Sequence, residues 1–142
     1  MTGLVLLLLA VAVAAGFGLY RRRTDGSFAV AAPAAPTTWT AVAGAVPDAA
    51  LGERATLVQF SSAFCAPCRT TRVVLADVAG RADGVTHLEI DAEQHLDLVR
   101  ALDIRRTPTT LVLDRRGHEV TRAAGAPRRE QVLAALPALQ ES

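Results

Sequence analysis

Residues 55–68 read Ala55-Thr56-Leu57-Val58-Gln59-Phe60-Ser61-Ser62-Ala63-Phe64-Cys65-Ala66-Pro67-Cys68, and their character changes part-way along. Leu57, Val58 and Phe60 give Ala55–Ser61 the apolar content of a buried strand. Pro67 suits the first turn of a helix, where a residue without an N–H costs nothing. From Pro67 to Ala79 the spacing is helical, with Thr70, Val74, Leu75 and Val78 on one side and Gly80 as a stop signal. The stretch therefore predicts a strand running into a helix, with Cys65 and Cys68 at the junction.

Outward from this unit the chain keeps alternating. Trp39 to Val46 fits either a short strand or a helical turn. Val85 to Ile90 predicts a second strand. Asp91 is then placed to cap a helix over Ala92 to Leu102, with Gln94 three residues on in capping-box fashion and Leu96, Val99 and Leu102 as its core face. Thr109 to Asp114 predicts a strand, Arg115–Gly117 a turn, and His118 to Ala123 its hairpin partner. A last helix opens near Pro127 and buries Val132, Leu133 and Leu136, with Pro137 limiting its extension. Strand–helix alternation of this kind predicts an α/β layered fold with a mixed sheet.

The front of the chain is different. Thr2 to Tyr20 carries no charge, and Arg21, Arg22 and Arg23 follow directly. An apolar run of this length approaches what a helix needs to cross a hydrocarbon core of about 30 Å. Tyr20 stands where an interfacial aromatic belongs. A cleavable signal peptide is the competing reading, but its positive charge would precede the run. Arginines after the run favour an anchor with the remainder of the chain on the cytoplasmic side, and an exported domain is the alternative. Residues 1–23 are thus expected to form a membrane anchor, residues 24–38 an Ala/Pro-rich tether, and residues 39–142 the folded domain. A strand over Phe28 to Ala32 is the alternative for the tether.

Composition removes several function classes. The formal net charge is +1, which provides no concentrated basic footprint for nucleic acid. All 15 basic residues are Arg, so Schiff-base chemistry on lysine is excluded. The 2 Cys are three positions apart. A disulfide there closes a loop too small to stabilise much by constraining the unfolded chain, so its value is chemical. Zinc needs four ligands, and His87, His95 and His118 form no pair with the cysteines in sequence. Haem attachment needs a His where Arg69 stands.

The location of the pair supplies its chemistry. Unpaired N–H groups and the helix dipole stabilise negative charge at a helix N-terminus. A thiolate placed there has a lowered pKa and is the nucleophile. Cys65, at the helix opening, is therefore the candidate attacking sulfur. Cys68, three residues on, lies on the same face and can resolve a mixed disulfide formed at Cys65.

Phe64-Cys65-Ala66-Pro67-Cys68-Arg69 resembles the active-site segment of the thioredoxin superfamily, and Ile104-Arg105-Arg106-Thr107-Pro108-Thr109 resembles its cis-proline loop. Asp91, Asp114–Gly117 and Gly125 also fall where that family carries an aspartate, a hairpin turn and a late glycine. The resemblance covers roughly residues 56–136. It implies a thioredoxin-like fold, with a central mixed sheet flanked by helices, here preceded by a transmembrane helix. It implies that Cys65 and Cys68 exchange disulfides with protein substrates. Phe64, Ala66, Pro67, Thr107 and Pro108 would meet the substrate, and the Thr107 hydroxyl could touch the sulfur. No metal or organic cofactor is expected beyond the redox-active pair. The expected partners are protein disulfides and an electron-donating reductase or membrane thiol protein, with the chain itself a monomer.

The sequence also departs from the family. Gln59 stands at the place of a buried Asp, and Gln does not exchange protons near neutral pH. Phe64 and Ser61 replace common tryptophans, Ala66 a glycine, and Val73 a helix-kinking proline. The leading reading is a reductant of protein disulfides. The alternatives are a thiol reductase serving exported proteins or cytochrome maturation, and a non-catalytic binding module or redox sensor.

Overall fold

The computed structural model of the protein describes residues 1–24 and 36–137. The chain divides into two compact units, residues 1–35 and 36–142. In the first, α1 is a helix over Thr2–Thr24. Its residues through Tyr20 are exposed all round, and the span Thr2–Tyr20 is long and apolar enough to cross a membrane. A core helix of a soluble protein would bury one face; residues 2–20 bury none. Residues 25–35, which carry most of the expected tether and its alternative strand, lie outside the described residues.

The second unit contains α2 (Thr38–Ala45), β1 (Ala55–Ser61), α3 (Ala66–Arg81), β2 (Val85–Asp91), α4 (Leu96–Ala101), β3 (Thr109–Asp114), β4 (Glu119–Ala124) and α5 (Arg129–Ala135). The strands form one sheet in the order β2-β1-β3-β4. β1 pairs parallel to β2 and antiparallel to β3, so the sheet is mixed. β1 is central, and all seven of its residues are buried.

Alternation along β1 separates two cores. Val58 and Phe60 face Val42 of α2 and Leu98 of α4. Leu57 faces Leu75 and Val78 of α3 and Val132 of α5. The face that carries Leu57 also carries Gln59 and Ser61 by the period of two, which puts polar side chains under the start of α3.

Several elements differ in detail from expectation. Trp39 to Val46 resolves as the helix α2, whose N-cap Thr37 accepts the N–H of Thr40. α3 runs through Gly80 to Arg81, and its inward residue in the second turn is Thr71, with Thr70 exposed. The capping box expected at Asp91 and Gln94 does not form. Asp91 closes β2 and its carboxylate accepts the N–H of Glu93 and the side chain of Gln94, which holds a turn and delays α4 to Leu96. That delay rotates the helix: Leu98 is buried, Leu96 is 53% exposed, and Val99 and Leu102 pack at the margin. Pro127 precedes the N-cap of α5, Arg128, and of the valine and two leucines expected inside, Val132 is buried, Leu136 is half-buried and Leu133 is exposed.

Candidate active site

β1 ends at Ser61 and α3 begins at Ala66, so Cys65 is the N-cap of α3. Its Sγ accepts the N–H of Cys68 at 3.2 Å. The sulfur thus occupies the position where a capping oxygen usually satisfies an orphan donor. Pro67 sits in the first helical turn without breaking a hydrogen bond. Cys65 and Cys68 are joined as a disulfide, with their Cα atoms 5.2 Å apart. Cys68 is 2% exposed, whereas Cys65 is partly open to solvent. One sulfur is reachable and the other is covered.

The remaining residues singled out in the sequence fall around this pair as follows. Phe64 is fully exposed, and Ala66 and Pro67 are exposed beside it. The Thr107–Pro108 bond is cis. Pairing of Phe60 with Thr109 brings the loop before β3 to the end of β1 that leads into Cys65. Thr107 Oγ1 lies 2.9 Å from Ser62 Oγ, so the hydroxyl's partner is this serine and not a cysteine sulfur. The loop is tied again where the N–H of Gly125 donates to the carbonyl of Pro108 and the hydroxyl of Thr109 to the carbonyl of Arg106.

Beneath the disulfide lies a polar chain centred on Gln59, which is fully buried. Gln59 Nε2 donates to the carbonyl of Cys68 at 2.9 Å and to Ser61 Oγ at 2.8 Å. Its Oε1 lies 3.0 Å from His87 Nε2. These contacts fix the direction of every bond. A carbonyl only accepts, so the amide nitrogen must face Cys68. The amide oxygen therefore faces His87, whose Nε2 must carry the proton. Ser61 already accepts from Gln59, so its own hydrogen points elsewhere.

Glu89 is the residue of β2 paired with Gln59. A period of two along β2 puts His87, Glu89 and Asp91 on one face. Arg72 of α3 reaches Glu89 with two bonds, of 2.5 and 2.8 Å. This guanidinium holds the Glu89 carboxyl below the usual carboxylate range; partial burial opposes the shift and the Ser61 hydroxyl assists it. Burial pushes the His87 imidazole below its ordinary value, with Glu89 pulling the other way. A depression of about 440 Å³, bordered by Ser61, Cys65, Cys68, Arg69, Arg72 and Glu89, opens beside the disulfide. Sequence reasoning did not identify His87, Glu89 or Arg72 as part of the site. The signal for His87 and Glu89 was the alternation of Val85–Asp91, which aligns them with Gln59 and Ser61 once β2 is paired to β1, and for Arg72 its place one helical turn after Cys68. Among the described residues, no group of three or more His, Cys, Asp or Glu is arranged to hold a metal.

Comparison with known proteins agrees with this geometry. The thioredoxin family model matches residues 44–138. Thioredoxin H2-1 from Oryza sativa subsp. japonica is 34% identical over 74 residues, covering 52% of this chain and 53% of the relative. Thioredoxin H4-1 from the same plant is 35% identical over 82 residues, covering 56% and 62%. The chain thus spans less than two thirds of either relative's length. Among solved structures, a mutant thioredoxin from Halobacterium salinarum superposes with a TM-score of 0.57 at 20% identity, over 63% of this chain and 78% of that one. A thioredoxin from Malassezia sympodialis superposes with a TM-score of 0.50 at 22% identity, over 60% and 74%.

Proposed function

The chain belongs to the thioredoxin family, and from that premise we propose that it is a membrane-tethered thiol–disulfide oxidoreductase that reduces disulfides in other proteins. The observation that carries this reading is the position of the pair: Cys65 caps α3 and is open to solvent, while Cys68 is buried behind it. In the reduced protein, the N–H of Cys68 and the dipole of α3 stabilise Cys65 as a thiolate. That thiolate attacks one sulfur of a target disulfide. A Cys65–target bond forms, the target's disulfide breaks, and the second target sulfur leaves with the electron pair. Cys68 then attacks Cys65 and closes the Cys65–Cys68 disulfide. The target leaves with both sulfurs reduced, and the protein holds the oxidised pair.

The exposed Phe64, Ala66 and Pro67, together with the loop of half-buried Thr107 and buried Pro108, are the proposed contact for the substrate chain. A reductase or a membrane thiol protein is the proposed source of electrons. The working form is proposed to be a monomer that needs no metal or organic cofactor. The α1 segment supports a tether, and the Arg21–Arg23 cluster supports a cytoplasmic domain, because arginines next to a span resist translocation.

The test is reduction of insulin disulfides by the full chain in detergent, with dithiothreitol as electron source. We expect turnover in the parent and none in Cys65→Ser. Equal turnover in both would contradict the proposal. Reporter fusions at the C-terminus test the side of the membrane separately: export-dependent activity there would reverse the orientation.

A further inference from the structure

Thr110 of β3 is 2% exposed, and among the described residues no donor or acceptor reaches its Oγ1. Buried hydroxyls are normally hydrogen-bonded, because leaving one unpartnered is destabilising. The register shows why the neighbouring strands do not supply the bond. Thr110 is paired with Gln59 of β1 on one side and with Ala123 of β4 on the other. Gln59 uses its amide nitrogen on Ser61 Oγ and the Cys68 carbonyl, and its oxygen faces His87. The side chain of Ala123 has no polar atom.

Beside Thr110 lies a cavity of about 320 Å³ between β3, β4 and α5. Thr110 and Val112 border it, whereas Thr109 and Leu111 do not. By the period of two, the cavity therefore meets the side-chain face of β3 that packs toward α5. Ala123, Val132 and Ala135 add apolar wall, and exposed Gln131 stands at the rim. Arg122 is the only charged residue on the border, and its guanidinium is taken up by Glu119 and the Leu102 carbonyl. The cavity thus offers apolar walls, one hydroxyl without a partner and no unpaired charge. Its size is right for a small molecule: an apolar cavity of about 150 Å³ already holds benzene.

We propose that this cavity is a binding site for a neutral small molecule with an apolar ring or branched chain and a single amide or hydroxyl group. The apolar part packs against Val112, Ala123 and Val132. The polar group bonds Thr110 Oγ1, which can donate or accept. A charged molecule is rejected, because the walls hold nothing to pair with a desolvated ion. Neither cysteine borders the cavity, so the site is separate from the disulfide and does not rest on the exchange reading.

The experiment titrates benzamide into the isotope-labelled full chain in detergent and follows the backbone amide signals of Val112, Ala123 and Gly125 by NMR. We expect saturable shifts at these residues, with a Kd on the order of 1 mM for a ligand of this size. Benzoate, of the same shape but negatively charged, should give no saturable shift there. Thr110→Val removes the hydroxyl and keeps the volume. It should bind benzamide about threefold to tenfold more weakly, the scale of one hydrogen bond. Its unfolding midpoint should be unchanged or higher, since an unpartnered hydroxyl has gone. Ala123→Leu fills the space opposite Thr110 and should abolish the shifts. No saturable shift with benzamide in the parent would overturn the proposal, as would equal binding of benzoate or full affinity in Thr110→Val. Shifts of equal size in Ala123→Leu, the result expected of ligand taken up by detergent, would also overturn it.

Discussion

Gln59 Nε2 lies 2.9 Å from the carbonyl oxygen of Cys68, so the middle of the central strand is hydrogen-bonded directly to the first turn of the helix that carries the disulfide. The same amide satisfies Ser61 and His87. One uncharged side chain therefore supports the buried half of the dithiol.

Replacing that amide should be expensive. Gln59→Leu fills the same space but removes the donor to Ser61 and the acceptor facing His87, and takes from the Cys68 carbonyl its side-chain partner. Stranded buried polar groups cost about 1–3 kcal/mol each when water cannot reach them. We expect chemical denaturation of the oxidised full chain to show a loss of about 2 kcal/mol or more. A loss below about 0.5 kcal/mol, the scale of a neutral surface change, would mean the network is not structural.

Acid should weaken the domain in two steps of the same sign. His87 titrates below its ordinary value of 6.5 when folded, so the unfolded chain binds that proton first as pH falls. Its contribution is intact above pH 6.5 and is lost as pH falls toward the folded value. Glu89 is likewise lowered from 4.5, so its contribution is intact above that pH and is lost as pH falls through the folded value. Stability measured against pH should lose the upper step in His87→Gln and the lower step in Glu89→Gln. A parent curve that is flat between neutrality and pH 4.5 contradicts the first assignment.

The turn after β3 anchors α2. Gly117 has φ +83, and a Cβ built there would lie 2.3 Å from Trp39 Cβ. The N–H of Trp39 also donates to the carbonyl of Gly117 at 3.0 Å. Gly117→Ala thus combines a left-handed backbone penalty with a clash against a fixed side chain, and should cost well over about 1 kcal/mol. Tryptophan fluorescence reports the outcome, since Trp39 is the sole tryptophan. An unchanged spectrum and midpoint would show that the turn tolerates a side chain.

Leu75 marks the other side of the sheet. It is fully buried between β1 and α3, in the cluster with Leu57, Val78 and Val132. Leu75→Ala should cost about 2–5 kcal/mol through lost burial and the cavity left behind. Val73→Ala, on the exposed side of the same helix, serves as the control and should cost little beyond propensity.

The strand-to-helix unit was legible because its signals are local. Leu57, Val58 and Phe60 mark Ala55–Ser61 as a buried strand, and Pro67 suits the first turn of a helix that follows it. The cis loop was legible only through the Thr107-Pro108 pair and its resemblance to a known segment. α4 was misread because Asp91 has two competing uses: the same oxygens that cap a helix also close an Asx turn, and only the geometry of the chain leaving β2 selects the turn. The choice shifted the buried residue from Leu96 to Leu98. α2 was undecided since its eight residues are uncharged and, apart from Trp39, small, and its docking on Gly117 is a long-range fact. Glu89, His87 and Arg72 were invisible as site residues for a similar reason. Each looks solvated in isolation; the parallel register of β1 and β2 brings His87 and Glu89 beside Gln59, and Arg72, one helical turn after Cys68, meets Glu89 only once α3 packs on β2.

The most direct test of the whole account is covalent capture. Cys68→Ser should attack a disulfide-bonded target through Cys65 and stop there, since nothing can resolve the intermediate. Mass spectrometry of the full chain should find the target linked to Cys65 in this variant, and no adduct at Cys68 in Cys65→Ser. A target linked to Cys68 in Cys65→Ser at a comparable rate, or no adduct in either variant, would contradict the assignment of Cys65 as the attacking sulfur.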